Sequence, residues 1–267
     1  MCLILFALRA HPDYPLIIAA NRDESYLRPT AAAAYWQDHP QVLAGRDLEA
    51  MGTWLGVTRS GRFAALTNFR DALERKQDAP SRGSLVSDFL TTAIAPRDYL
   101  EQIAPAAGRY NGFNLLVGDA GGMHSFSSRG SVSKRLAAGV HGLSNHLLDT
   151  PWPKVAAGKE RLANILQSGV SVEPLLALLD DRGEAADDLL PDTGVGLARE
   201  RVLSPALITA SEYGTRASTV VLFHRDGAVE FAERSVMPGG VHGKTLNYRF
   251  TLPAANASSA HAGCPLP

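Results

Sequence analysis

The segment CLILFAL (residues 2–8) constrains the fold more than any other stretch, because it has no polar position at which to meet water. Side chains on a strand point alternately to opposite faces, so a run without alternation belongs inside a layered structure, covered on both sides. The turn chemistry of RAHPDYP (9–15) follows, and then a second apolar run, LIIAA (16–20). If these form a hairpin centred near His11–Pro12, facing positions sum to about 24, because antiparallel strands run back symmetrically from their turn. Cys2 then faces Arg22, and the chain start is delivered to the polar stretch NRDE (21–24).

The same reading predicts further hairpins. GTWLGVT (52–58) pairs with FAALTNF (63–69), the two halves of FNLLVGDAGGMHSFSS (113–128) pair around Gly121–Gly122, and STVVLFH (218–224) pairs with AVEFAERS (228–235). AGVHGLSN (138–145) and LNYRFTL (246–252) read as single strands. Helices are expected over 84–94, from Pro96 to about Ala104, after an Asp149 or Thr150 cap through PWPKVAAGKERLANILQ, and near 172–180. Residues 181–199, rich in Asp, Gly and Pro, read as a long loop, and 253–267 as a mobile tail. Hairpins with helices collected between them predict antiparallel sheets covered by helices, in one domain spanning 1–252. No strand–GxGxxG–helix unit supports a dinucleotide-binding sheet.

With a formal charge of -1 over 267 residues, the chain has no electrostatic reason to bind nucleic acid or an anionic membrane. Hydrophobic residues at 45% leave ample material for a core. The two cysteines, Cys2 and Cys264, make neither a metal spacing nor a disulfide framework, which suits a reducing compartment and a cytoplasmic location. The apolar start is too short for a membrane span and lacks the basic flank of a signal peptide. A small-molecule substrate or hydrophobic ligand is the default partner, with no metal expected.

Cys2 is the first candidate for chemistry. Removal of Met1 leaves an α-amine on the thiol-bearing residue, and the reference pKa values of about 7.7–8.0 and about 8.5 are matched for proton exchange. Its alternative is a buried strand residue. Arg22 would lower the thiol pKa, and Asp23 could hold the terminal ammonium; Asn21 and Asp23 share one strand face, Arg22 and Glu24 the other. Asn68, Asn114 and Asn145 stand at strand ends, where an amide can donate to a developing oxyanion or start a turn. Arg216 could bind a substrate carbonyl or carboxylate. Trp54 and Trp152 could wall an apolar pocket or fill the core, and neither His141 nor His146 has a recognisable triad partner.

Taken in order, MCLI, LIIAANRDE, RPT, GTWLGV, AALTNFR, YNGFNLL, GLSNHLLDTPWPK, YGTRASTV and ERS resemble the NRDE family, also called the transport and Golgi organisation protein 2 family. The resemblance runs from Met1 to about Leu252. It implies an N-terminal-nucleophile (Ntn) hydrolase-like fold, a four-layer αββα sandwich of two antiparallel sheets. A weaker similarity, to cysteine Ntn amidohydrolases of the bile-salt hydrolase and penicillin V acylase type, implies roles for Cys2, Arg22, Asp23, Asn145 and Arg216, with Asn68 a further candidate. Those enzymes space their Arg and Asp more widely than the adjacent pair here, which leaves Asp23 and Asn21 both open as the group beside the amine. The favoured expectation is a hydrolase or acyl-transfer protein acting on an amide or thioester through Cys2, with no cofactor required. The family association with haem trafficking and with acyl-coenzyme A or lipid handling implies the alternative, a carrier or chaperone of haem or acyl-CoA. A third possibility is an interaction protein with a vestigial pocket.

Overall fold

The structure is a computed structural model that describes residues 2–71, 76–130 and 133–254. Its strands are β1 (Cys2–Leu8), β2 (Leu16–Ser25), β3 (Thr30–Tyr35), β4 (Val42–Asp47), β5 (Leu55–Thr58), β6 (Phe63–Asn68), β7 (Phe113–Asp119), β8 (Gly122–Ser127), β9 (Lys134–Arg135), β10 (Gly139–Leu143), β11 (Tyr213–Phe223), β12 (Ala228–Met237) and β13 (Val241–Thr251). The helices are α1 (Gly83–Thr91), α2 (Pro96–Ile103), α3 (Pro153–Ser168), α4 (Val172–Leu179) and α5 (Leu197–Val202).

The strands form two sheets, ordered β10-β1-β2-β11-β12-β13 and β3-β4-β5-β6-β7-β8-β9. All neighbouring pairs are antiparallel. The fate of CLILFAL explains the layering. Ile4, Phe6 and Leu8 point between the sheets and meet Leu43, Phe63, Leu116 and Phe231 in a shared core. Leu3, Leu5 and Ala7 point the other way, against Val155 and Leu162 of α3 and Leu175 and Leu179 of α4. On the far side, Leu85, Phe89 and Leu90 of α1 and Tyr99 and Leu100 of α2 cover Ala64, Leu115 and Val117 of the second sheet. The result is a four-layer αββα sandwich. Leu3, Leu5 and Phe6 are each no more than 1% exposed, and burial of side chains this size contributes roughly 1.5–3 kcal/mol apiece.

The hairpin register is the expected one: Leu8 faces Leu16 and Cys2 faces Arg22. Pro96 and Pro153 each open a helix in its first turn. The cap of α3 differs from the expectation. The capping position is Trp152, extended and without a side-chain cap, because Asp149 adopts a left-handed turn (φ 60) and spends its carboxylate on His141, the Gly142 N–H and Lys159. β3 and β4 were not anticipated; AAAA carries no strand periodicity, and both strands take their place from pairing to neighbours. The stretch 181–199 contains a short 3₁₀ turn at Asp187–Leu189 and leads into α5. The expected tail lies outside the described residues from position 255 onward. Among the described residues no helix is long and apolar enough to cross a membrane.

One polar side-chain clip joins the sheets within the core they share. Buried Glu233 accepts the Ala33 N–H at 2.6 Å, and the Tyr248 hydroxyl donates to the Ala33 carbonyl at 2.7 Å. Both peptide groups of Ala33, at the irregular part of the edge strand β3, are thereby satisfied from the opposite sheet.

Candidate functional site

At the end of the sandwich where β1 starts and β2 finishes, the two sheets diverge around a cavity of about 900 Å³. Cys2, Arg22, Asp23, Glu24, Trp54 and Asn68 line it, together with Arg28, Asp47, Lys76 and Arg82. Five of the residues expected from the sequence (Cys2, Arg22, Asp23, Trp54 and Asn68) therefore line one cavity, contributed by four different segments.

Strand alternation decides what each contributes. Cys2 and Arg22 are register partners and lie on the face shared with Ile4 and Ala20, toward the space between the sheets. The Arg22 guanidinium stands over the Trp54 ring, 4.2 Å from its centroid, and donates to Thr30 Oγ1 at 3.0 Å. Trp54 needs space to lie there. A Cβ added to Gly45 would fall 2.2 Å from Trp54 Cη2, so the glycine of β4 is a condition of the indole position.

Asp23 lies on the opposite strand face and is 1% exposed. The Thr215 hydroxyl donates to its Oδ1 at 2.7 Å, and the Tyr213 hydroxyl donates to its backbone carbonyl at 2.8 Å. Burial raises the Asp23 pKa; the nearby Lys154 ammonium, the positive chain terminus and the Thr215 hydrogen bond each oppose that rise. Burial likewise pushes the Cys2 thiol up. The positive chain terminus, a hydrogen bond from the Asp23 backbone N–H and the Arg22 charge pull it down, while the Asp23 carboxylate adds to the rise. The expectation that Arg22 would lower the thiol pKa has the right sign, but desolvation outweighs it.

The three remaining expected residues are spent on protein. Asn21 donates its amide to the carbonyls of Leu179 (2.9 Å) and Ala206 (2.8 Å) and accepts from Ser218 Oγ (2.6 Å). It lies under α4 and is not on the cavity wall, which corrects its expected place among the ligand-binding residues. Arg216 occupies a β-bulge between Thr215 and Ala217 and donates to the carbonyls of Ser25 (2.7 Å) and Arg28 (3.1 Å). It braces the β2–β3 turn from outside the cavity wall, again in place of an expected ligand anchor. Asn145, fully buried, donates to the Asn68 carbonyl at 3.0 Å and accepts from Arg70 and Ser144. Ser144 in turn donates to the Cys2 carbonyl at 3.2 Å. Asn145 thus clamps the end of β6 to the end of β10, and of the three asparagines expected at strand ends Asn68 is the one that lines the cavity.

The other candidates have local tasks. Asn114 ties Thr67 to the His146 carbonyl, and His146 meets Thr150. Trp152 packs on the helix side of the first sheet, with Arg70 over its ring, away from the cavity. Among the described residues no cluster of His, Cys, Asp or Glu could hold a metal ion.

Sequence reasoning missed the charges behind and beside the site. Arg28 makes a two-pronged contact with Asp47 at 3.0 and 2.7 Å across the cavity rim. Arg70 pairs with Glu200 at 2.5 Å, both nearly fully buried. Lys154 is 7% exposed and donates to the carbonyls of Leu203 and Pro205. Lys154 had a legible signal: it stands four residues before Gly158 and eight before Leu162 on the buried stripe of α3, where a charge is out of pattern. Glu200 had none, being one acid among many in a polar stretch.

Comparison with known proteins follows the same residues. The sequence model described as "Transport and Golgi organisation 2" matches residues 1–238. The human Transport and Golgi organization protein 2 homolog is 36% identical over 277 residues, covering 94% of this chain and 99% of that protein. The Drosophila melanogaster Transport and Golgi organization protein 2 is 31% identical, covering 91% and 95%. Two solved structures share the general shape at 10% identity. An N-acylethanolamine-hydrolyzing acid amidase orthologue from Caenorhabditis elegans has a TM-score of 0.49, covering 83% of this chain and 92% of its own. A mutant conjugated bile acid hydrolase from Clostridium perfringens has a TM-score of 0.47, covering 97% and 100%. The fold assignment rests on the layers described above, and the family on the sequence match: this chain belongs to the Transport and Golgi organisation 2 family.

Proposed function

We propose that the protein is a cysteine hydrolase or acyl-transfer enzyme of the Ntn type, acting on an amide or thioester through Cys2 once Met1 has been removed. The observation that supports this reading is the register pairing of Cys2 with Arg22 on the wall of the cavity, with the Asp23 backbone N–H directed at the sulfur.

In this reading the α-amine of Cys2 takes the thiol proton as Sγ attacks the substrate carbonyl carbon. The tetrahedral oxyanion is held by the Asn68 amide. Collapse breaks the bond to the leaving nitrogen or sulfur, which takes the proton back from the ammonium and departs. A thioester on Cys2 remains. Water, deprotonated by the same amine, attacks that thioester and releases the acid, or another nucleophile accepts the acyl group. Asp23 holds the ammonium, Arg22 stabilises the thiolate, and Trp54 fixes Arg22. One well-placed oxyanion donor is worth about 3–4 kcal/mol of barrier.

The test uses protein expressed without an N-terminal tag. Intact mass is expected to show loss of Met1, an iodoacetamide–alkyne probe to label Cys2 far faster than Cys264, and Cys2→Ser to abolish turnover across a panel of amides and thioesters. Quantitative retention of Met1, or equal labelling of both cysteines, overturns the reading. A carrier of haem or acyl-CoA gives a different pattern: saturable binding, equal in wild type and Cys2→Ala, with no turnover.

A further inference from the structure

Lys154 is a buried amine whose hydrogen-bonding partners are two neutral carbonyls, Leu203 O at 2.9 Å and Pro205 O at 3.5 Å. An aliphatic side chain would fill the same stripe of α3 at lower desolvation cost. What the ammonium adds is charge, and the charged or titratable groups around it belong to the candidate site or to its backing. The charges of Asp23 on β2, Arg70 after β6, Cys2 on β1 and Glu200 on α5 all act on it, that of Asp23 most strongly. Of the charges acting on Asp23, Lys154 is the strongest that favours the ionised form.

The strip Leu203–Ile208 links the two residues mechanically as well. Lys154 holds its first half, and Asn21 donates to the Ala206 carbonyl in the middle. At its end the Ile208 N–H donates to Thr215 Oγ1, and Thr215 N–H returns a bond to the Ile208 carbonyl. The same Thr215 hydroxyl donates to Asp23 Oδ1. A donor on α3 therefore fixes the backbone that orients the hydroxyl that orients the carboxylate.

We propose that Lys154 is a positioning residue: its hold on the Leu203–Ile208 strip, together with the charge of its buried ammonium, aims the Asp23 carboxyl at the amine of Cys2. The inference rests on the Cys2 reading for its purpose, but the coupling of Lys154 to Asp23 stands apart from it and is measured apart from it.

The experiment is a carboxyl titration by NMR on full-length protein labelled with ¹³C at aspartate side chains, with Asp23→Asn identifying the Asp23 signal. Lys154→Gln keeps a donor toward the strip and drops the charge, whereas Lys154→Arg keeps the charge. The Asp23 midpoint is expected to rise in Lys154→Gln and to stay in Lys154→Arg, since an opposite charge favours the ionised carboxyl. A midpoint unmoved in Lys154→Gln overturns the inference. Should Lys154→Gln fail to fold by circular dichroism, the wild type decides. Burial lowers the Lys154 pKa to about 8, so the Asp23 signal of the wild type must show a step there that is missing in Lys154→Arg, whose charge does not titrate in this range. Absence of that step refutes the coupling. Wild-type Cys2 that labels no faster than Cys264 overturns the hydrolase reading and leaves the Asp23 titration to decide Lys154.

Discussion

Replacing Glu200 by alanine tests the most heavily buried ion pair of the described structure. The Arg70 and Glu200 side chains are 6% and 3% exposed, and Nη1 approaches Oε2 at 2.5 Å. The second carboxylate oxygen accepts from the Thr193 N–H, and the second Arg70 amino group donates to Asn145 Oδ1 at 3.2 Å. The pair thus ties α5 to the asparagine clamp behind Cys2. Removing one member of a buried pair costs about 3–5 kcal/mol, because the surviving charge keeps its desolvation penalty and loses its main compensation. For a chain of this size about 2–4 °C of Tm accompanies each kcal/mol, so Glu200→Ala is expected to lower Tm by roughly 10 °C. Replacing both members by methionine is expected to recover most of that loss, since a buried pair is close to neutral against apolar residues of similar volume. Urea denaturation of wild type, Glu200→Met, Arg70→Met and Arg70→Met/Glu200→Met gives the coupling energy directly, with Glu200→Ala measured beside them. Single substitutions costing under about 1 kcal/mol, with an additive double variant, would refute the view that these charges compensate each other in a dry environment.

Three further outcomes follow from the geometry. Gly45→Ala drives a methyl into the Trp54 ring, so it is expected to destabilise by about 1–3 kcal/mol and to change tryptophan emission in the wild type but not in a Trp54→Phe background; unchanged emission in both would place the indole elsewhere. Moving the terminal ammonium from residue 1 onto Cys2 itself brings its charge closer to the thiol, which burial otherwise raises. Iodoacetamide at pH 7 is therefore expected to alkylate the Met1-cleaved form about tenfold faster than a chain with one extra N-terminal residue, one pH unit being tenfold in thiolate; equal rates would contradict this. For Lys154 the folded pKa lies at about 8, below its ordinary value of 10.5, so the unfolded chain binds the extra proton between them and stability rises with pH across that window. The slope is at most about 1.4 kcal/mol per pH unit, is absent below about pH 8, and should vanish in Lys154→Met; urea midpoints measured from pH 7.5 to 10.5 that show no difference between the two would sink it.

The end of the sandwich that carries the site was legible in the residues themselves. An apolar run without alternation has to be covered on both faces, and a short Pro-containing turn between two such runs sets their register, so Cys2 opposite Arg22 follows from local rules. That Arg22 and Asp23 take opposite faces of β2 follows from the same alternation. The place of Asn68 at the polar end of an apolar strand was legible for a similar reason.

What local rules could not decide was which polar side chains the neighbouring layers would occupy. Asn21 was free to face a ligand until α4 and the Leu203–Ile208 strip supplied two carbonyls that need donors. Arg216 was free until a β-bulge turned it toward the Ser25 and Arg28 carbonyls. The Arg70–Glu200 pair joins residues 130 positions apart, and no periodicity reports such a meeting. The register of the β1–β2 hairpin is a property of adjacent chain and was determined by the sequence alone. The compensation of buried charge and of buried peptide groups depends on what lies within a few ångströms in three dimensions, and only the tertiary structure decided it.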